Sequence, residues 1–94
     1  MQETSFGSIK VISKEPFIEH LIFHNSGRAH QHDVYEIFTT TKGTGKVIKG
    51  DEEVTVSSGS IVVIPPNTDH WMEPTEGQIL EGYLTYSDVE PKVY

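Results

Sequence analysis

Apolar and polar positions along this chain alternate with a period of two, and no window carries the 3.6-residue period of a helix. Short β-branched and aromatic runs recur, each cut by Gly, Pro, Asn or Asp at strand-like spacing. The pattern predicts strands over residues 7–12 and 17–23, the second with Phe17, Leu21 and Phe23 on one face. His24-Asn25-Ser26-Gly27 breaks the run, and strands follow over residues 29–33 and 35–41. Lys42-Gly43-Thr44-Gly45 reads as a turn. Residues 46–49 and 53–56 read as a hairpin around Gly50-Asp51, and Ser57-Ser58-Gly59 as a further turn. Residues 61–64 form a buried aliphatic strand stopped by Pro65-Pro66-Asn67. A short strand over residues 70–73 ends at Pro74, and residues 78–86 close the domain. Roughly seven to nine such strands predict an all-β sandwich or barrel, and the length suits one jelly-roll unit.

The two faces of the last predicted strand are not distinguished by the pattern. Ile79, Glu81, Tyr83 and Thr85 alternate with Leu80, Gly82, Leu84 and Tyr86, and both sets carry large apolar side chains. If the first set points inward, Tyr83 and Glu81 enter the interior as acid–base candidates.

Size makes the barrel reading demanding. A 94-residue chain buries roughly 60–65% of its unfolded surface, so its stability margin is thin. There is no cysteine, which excludes disulfide staples and thiolate metal sites. A histidine–carboxylate metal site or a second subunit would supply stability instead. The net charge is −7, and the 7 Lys and Arg form no run. That balance argues against nucleic acid and anionic membrane surfaces, which need a basic face. The polar start Met1-Gln2-Glu3-Thr4-Ser5 lacks the basic and apolar stretches of a secretory signal. A soluble, cytoplasmic protein is the expectation. Lys42-Gly43-Thr44-Gly45-Lys46 lacks the spacing of a phosphate loop.

The candidate chemistry lies in His30, His32, Glu36 and His70. A strand places residues i and i+2 on one face, so His30 and His32 can share a direction and Glu36 can join them. His70 must arrive from elsewhere. Three imidazoles and a carboxylate suit a first-row transition metal. Arg28 has the parity of His30 and His32 and is a candidate to clamp a substrate carboxylate. Phe38, Thr40 and Met72 are wall candidates by the same parity, while Trp71 is expected on the opposite side. His20 and His24 read as structural histidines.

These residues stand at a family's spacing. His30-Gln31-His32, Glu36 four residues later and Gly43 after six more resemble the first motif of the cupins. Gly59, Pro65, Asn67 and His70 resemble the second, with Asn67 where that motif usually has Gly. Two further departures are His24, where a Gly often opens the first motif, and Pro74, where an Asn is common. None of these falls on a ligand position.

The resemblance implies that residues 1–94 form a single cupin domain, a jelly-roll β-barrel or double-stranded β-helix. It implies one divalent transition metal per chain on His30, His32, Glu36 and His70, with Fe or Mn favoured and Ni, Co or Zn admissible. It also implies a metal-dependent enzyme of dioxygenase, isomerase or lyase type acting on a small oxygenated or carboxylate substrate, with Tyr83 and Arg28 as catalytic candidates. The alternative is a non-catalytic domain that binds or senses a small molecule. A homodimer is expected, with the first strand and the Trp71 side as the contact, because a small open barrel leaves strand edges uncovered.

Overall fold

The computed structural model describes residues 2–91. Among them there is no helix, and hence none long and apolar enough to cross a membrane. Eight strands follow in order: β1 (Gln2–Glu3), β2 (Gly7–Lys14), β3 (Phe17–Phe23), β4 (Tyr35–Lys49), β5 (Glu52–Ser57), β6 (Ile61–Ile64), β7 (His70–Pro74) and β8 (Leu80–Ser87). All their pairings are antiparallel. The path runs β1-β2-β3-β8-β4-β5, and β6 and β7 also pair with β4. This is the all-β jelly-roll barrel that the alternation and the motif resemblance predict.

One strand holds the two walls together. The first half of β4 lies between β8 and β6, and its second half lies between β5 and β7. The predicted turn at Lys42-Gly43-Thr44-Gly45 is therefore not a turn. The strand passes straight through it with a register shift between Thr40 and Lys42. That bulge changes which parity points inward. Glu36, Phe38 and Thr40 are buried before it, and Gly45 and Val47 after it. One inserted residue moves every later side chain to the other face. The bend it introduces lets one strand serve both walls.

Gly43 completes the passage. Its φ is +84°, a left-handed value that side chains rarely tolerate. A Cβ there would overlap the Ile79 carbonyl. Asn67 solves a similar problem without glycine, at φ +57°, as expected of a residue tolerant of that region.

The core is apolar and continuous. Leu21, Phe23, Phe38, Val47, Val56, Val62, Ile64, Met72, Leu80 and Leu84 are all buried in one cluster. On β8 the buried positions are Leu80, Gly82 and Leu84. The alternative parity is thereby excluded: Tyr83 is 40% exposed on the outer face.

Gly43→Ala is expected to destabilise the protein by about 2 kcal/mol or more, since it combines φ strain with a backbone clash. Gly59→Ala, also at positive φ but with open space around it, is expected to cost about 1 kcal/mol. Urea unfolding of the two variants checks the difference; equal losses would contradict this account of Gly43.

Candidate metal centre

The chain between β3 and β4 does not form the strand predicted over residues 29–33. It runs extended along β7 and is held at a few points. The Gly27 amide donates to the Met72 carbonyl at 2.9 Å. His30 and His70 exchange backbone hydrogen bonds at 3.2 and 3.1 Å, an isolated antiparallel bridge. The Asn67 amide donates to the His32 carbonyl at 2.7 Å, so the left-handed turn at Asn67 fixes the position of His32. Directly opposed residues in an antiparallel bridge project to the same side. The His30 and His70 rings accordingly lie 4.3 Å apart.

Glu36 reaches the same place from the start of β4. Its Oε2 lies 3.0 Å from His70 Nε2 and its Oε1 lies 3.4 Å from His32 Nε2. One donor atom from each of His30, His32, Glu36 and His70 falls within 4.8 Å of all the others. Two ligand atoms about 2.1 Å from one ion and at right angles to each other are ~3 Å apart, which the Glu36 distances match.

The proton positions sharpen this reading. His30 Nδ1 lies 2.8 Å from the Arg28 carbonyl, and His70 Nδ1 lies 2.9 Å from the Thr68 carbonyl. A carbonyl only accepts, so Nδ1 carries the proton in both rings. Both rings therefore present the Nε2 lone pair. Five buried side-chain polar atoms lack a hydrogen-bond partner among the described residues, and four belong to this cluster: His32 Nε2, both oxygens of Glu36, and His70 Nε2. Buried polar groups are almost always paired. Acceptors converging in this way call for a proton or a cation between them.

The electrostatics agree. Burial holds the His32 ring below the usual 6.5, helped by the nearby His30 and His70 and partly offset by Glu36. Burial also acts downward on His70, but the Glu36 carboxylate and the Thr68 carbonyl outweigh it and raise its pKa above 6.5. The proton that His70 gains occupies the place where a cation would sit.

His30, His32 and Glu36 of the cluster line a cavity of about 250 Å³. Apolar side chains including Phe6, Leu21, Phe23 and Met72 line much of it. Arg28 also lines it with an otherwise exposed side chain. Trp71 alternates with the buried His70 and Met72 on β7 and donates its Nε1 to Glu73 Oε2 at 3.2 Å, on the side opposite those two residues as expected. Tyr83 does not reach the cavity. It stacks on His20 at 5.0 Å on the outer face, where His20 also meets Glu81 at 3.0 Å. The parity of β8 instead brings in Tyr86, which pairs with Glu36 across the sheet.

Two cavity groups escape the motif-based reading. Tyr86 packs its ring against His32 at 5.3 Å and donates its hydroxyl to Glu19 Oε1 at 3.3 Å. Burial, with Glu36 and Glu19 nearby, pushes the Tyr86 phenol well above its usual 10, so it stays protonated. Burial likewise raises the Glu19 carboxyl, opposed by the Tyr86 hydrogen bond and reinforced by Glu36. The signal for Glu19 was present in the sequence: it shares the parity of Phe17, Leu21 and Phe23.

This barrel, with a His/Glu cluster at its cavity, defines a class. The chain belongs to the cupin family, whose description as a cupin domain matches residues 18–86. No curated protein matches the chain. Among solved structures it is similar to a cupin-like protein from Thermotoga maritima, with 20% identity and a TM-score of 0.79, covering 95% of this chain and 80% of that one. A cupin-2 domain protein from Shewanella frigidimarina has 21% identity and a TM-score of 0.72, with 89% and 84% covered. A cupin 2 conserved barrel domain protein from Rhodopseudomonas palustris has 16% identity and a TM-score of 0.78, with 98% and 71% covered. At these identities the likeness is one of fold.

The raised His70 pKa has a definite sign. A protonated His70 paired with Glu36 stabilises the metal-free protein, fully below the unfolded value of about 6.5, and that contribution fades as pH rises through the folded value. In EDTA-treated protein this pair favours pH 6.5 over pH 8, against the opposite slope of His32, whose pKa is lowered; Glu36→Gln should shift the melting-temperature difference between the two pH values toward pH 8. An unchanged difference in Glu36→Gln would sever the link to this pair.

Proposed function

We propose that this protein holds one divalent transition metal through His30, His32, Glu36 and His70 and acts as a metal-dependent enzyme on a small oxygenated or carboxylate substrate, of dioxygenase, isomerase or lyase type. The observation that carries the reading is the set of four buried, unpartnered acceptor atoms beside an otherwise largely apolar cavity. Imidazole and carboxylate ligands admit iron, manganese, nickel, cobalt and zinc, and iron or manganese is the choice for the cell. Such an ion, when bound, supplies Lewis acidity and, for iron, dioxygen chemistry.

The remaining residues have separable tasks. The Arg28 and Thr68 carbonyls fix the tautomers of His30 and His70, so both rings offer Nε2 without rearrangement. Arg28, one of the residues lining the cavity, would orient a carboxylate through its guanidinium. The apolar lining excludes water and favours a substrate with a hydrocarbon body. Tyr86, protonated and next to His32, serves as a hydrogen-bond donor and not as a base.

Protein purified without an affinity tag or chelating resin is expected to carry close to one equivalent of transition metal per chain. His70→Ala should weaken the affinity by more than about 100-fold, beyond what loss of an outer hydrogen bond would do. Elemental analysis provides the check, and less than about a tenth of an equivalent in the unmodified protein would end the metal reading. Affinity should also fall as pH drops through the raised His70 value, because the ligand rings must be neutral. Metal content unchanged at about pH 4.5 would contradict imidazole ligation.

We further propose a homodimer that meets along β2. Beyond the two-residue β1, β2 has no outer neighbour among the described residues, and Val11 and Ile12 on it are 46% and 49% exposed. A free strand edge with apolar side chains is a template for pairing. The Trp71 side, where the indole alternates with the buried His70 and Met72, is the second proposed contact. Sedimentation should give a dimer mass that Val11→Lys converts to monomer; a monomeric unmodified protein at every concentration would refute it.

A further inference from the structure

We infer that Glu19 is a second anchor of the cavity, accepting a hydrogen bond from an O–H or N–H group on a small, mainly apolar molecule bound beside the His/Glu cluster. The inference deepens the proposed function and relies on it only for what happens at the cluster.

Glu19 stands where the strand pattern calls for an apolar residue. It faces inward from β3 in sequence with Leu21 and Phe23, and it is only 9% exposed. A carboxylate there costs stability unless it is paired. Yet no Lys, Arg or His lies within ion-pair distance of it among the described residues. Its one hydrogen bond comes from the Tyr86 hydroxyl, at 3.3 Å to Oε1. The Oε2 atom has no hydrogen-bond partner among the described residues and is not sealed in the interior, and Glu19 lines the cavity. A leucine at this position would pack against the same neighbours without that penalty. The carboxyl is therefore explained by what enters the cavity and not by folding.

The rest of the ligand follows from the walls. Tyr86 touches His32 with its ring and Glu19 with its hydroxyl, so the cluster and Glu19 belong to one continuous lining. Apolar side chains such as Phe6, Ile9, Leu21 and Leu84 line the same space. The volume of about 250 Å³ falls below the roughly 300–1,000 Å³ of drug-sized pockets. The matching molecule is small, with a hydrocarbon body, a hydroxyl or amine for Glu19 and an oxygen for the His/Glu cluster. A carboxyl accepts hydrogen bonds whether or not it is ionised, so the assignment does not depend on its charge.

The test uses the metal-free, EDTA-treated full chain with p-cresol and toluene, two probes of one shape that differ by a single O–H. Binding is read from the Met72 methyl resonance, which reports from the cavity wall. The ratio of p-cresol to toluene affinity is expected to fall by at least about 10-fold in Glu19→Leu, the worth of one hydrogen bond to a carboxylate. In Tyr86→Phe, which leaves the carboxyl in place, the ratio should stay within about 3-fold. Glu19→Gln, which conserves shape, gives a smaller fall and keeps the test decisive if Glu19→Leu does not fold. An unchanged ratio in the Glu19 variants, or no p-cresol response at Met72, would overturn the inference. Metal uptake by the same preparations is measured separately. Uptake without a Glu19-dependent preference overturns this inference alone, whereas preference without uptake overturns the metal reading and leaves Glu19 standing.

Discussion

Two lone-pair acceptors held 3.0 Å apart in a protein interior repel each other unless a proton or a cation lies between them, and Glu36 Oε2 and His70 Nε2 are held in that way. Both residues are 1% exposed, so water cannot relieve the contact. An ionised carboxylate out of water costs several kcal/mol even after relaxation. A domain of this size has a total stability of roughly 5–15 kcal/mol. A cost of that relative size is tolerable only if something compensates it. In the metal-free chain the compensation is the proton that His70 binds more readily than a free imidazole. A divalent ion held by the four groups would compensate more of it.

The rest of the architecture serves to bring those atoms together and hold them. Glu36 comes from the first half of β4, and the second half of the same strand pairs with β7, whose first residue is His70. The position of the carboxylate relative to the imidazole is thus transmitted through one continuous strand. His30 and His32 lie on a connecting segment, which would ordinarily be the mobile part of a site. Here the segment is bonded to β7 at Gly27 and His30 and to the Asn67 turn at His32. Each bond removes freedom that a metal ion would otherwise have to remove on binding. The site is therefore preorganised by backbone hydrogen bonds more than by side-chain packing.

Much of this was legible in the chain because the constraints are local. The spacing of His30, His32 and Glu36 and the separate arrival of His70 follow from side-chain chemistry. Asn67 follows from backbone tolerance, and the left-handed φ at that position bears the reading out. What was not legible depends on pairing. Residues 29–33 alternate like a strand, but among the described residues only His30 forms a β-bridge. Glycines at Gly43 and Gly45 look like a turn because a bulge needs the same freedom as a turn, and only the neighbouring β8 and β7 decide between them. The parity of β8 was ambiguous because both faces carry large apolar residues. Burial of Leu80 and Leu84 selects the set containing Tyr86 and sends Tyr83 outside. A motif-centred view also passes over Glu19, whose only signal is a charged side chain in a run of inward positions.

That misplaced charge and the metal cluster obey the same rule. In a chain this small, each buried polar group that lacks a partner consumes a stability margin that the apolar core barely supplies. Tyr86 links the two groups, since its ring confines His32 while its hydroxyl occupies one oxygen of Glu19. Only one Glu19 oxygen is then left for a visitor, which converts a diffuse negative region into a single directed acceptor. In the cluster the carbonyl-fixed histidines direct their lone pairs equally narrowly. The rest of the lining is largely apolar and offers few hydrogen-bonding alternatives. A molecule that met only one of these two polar groups would leave the other without a partner, and that penalty would discriminate against it.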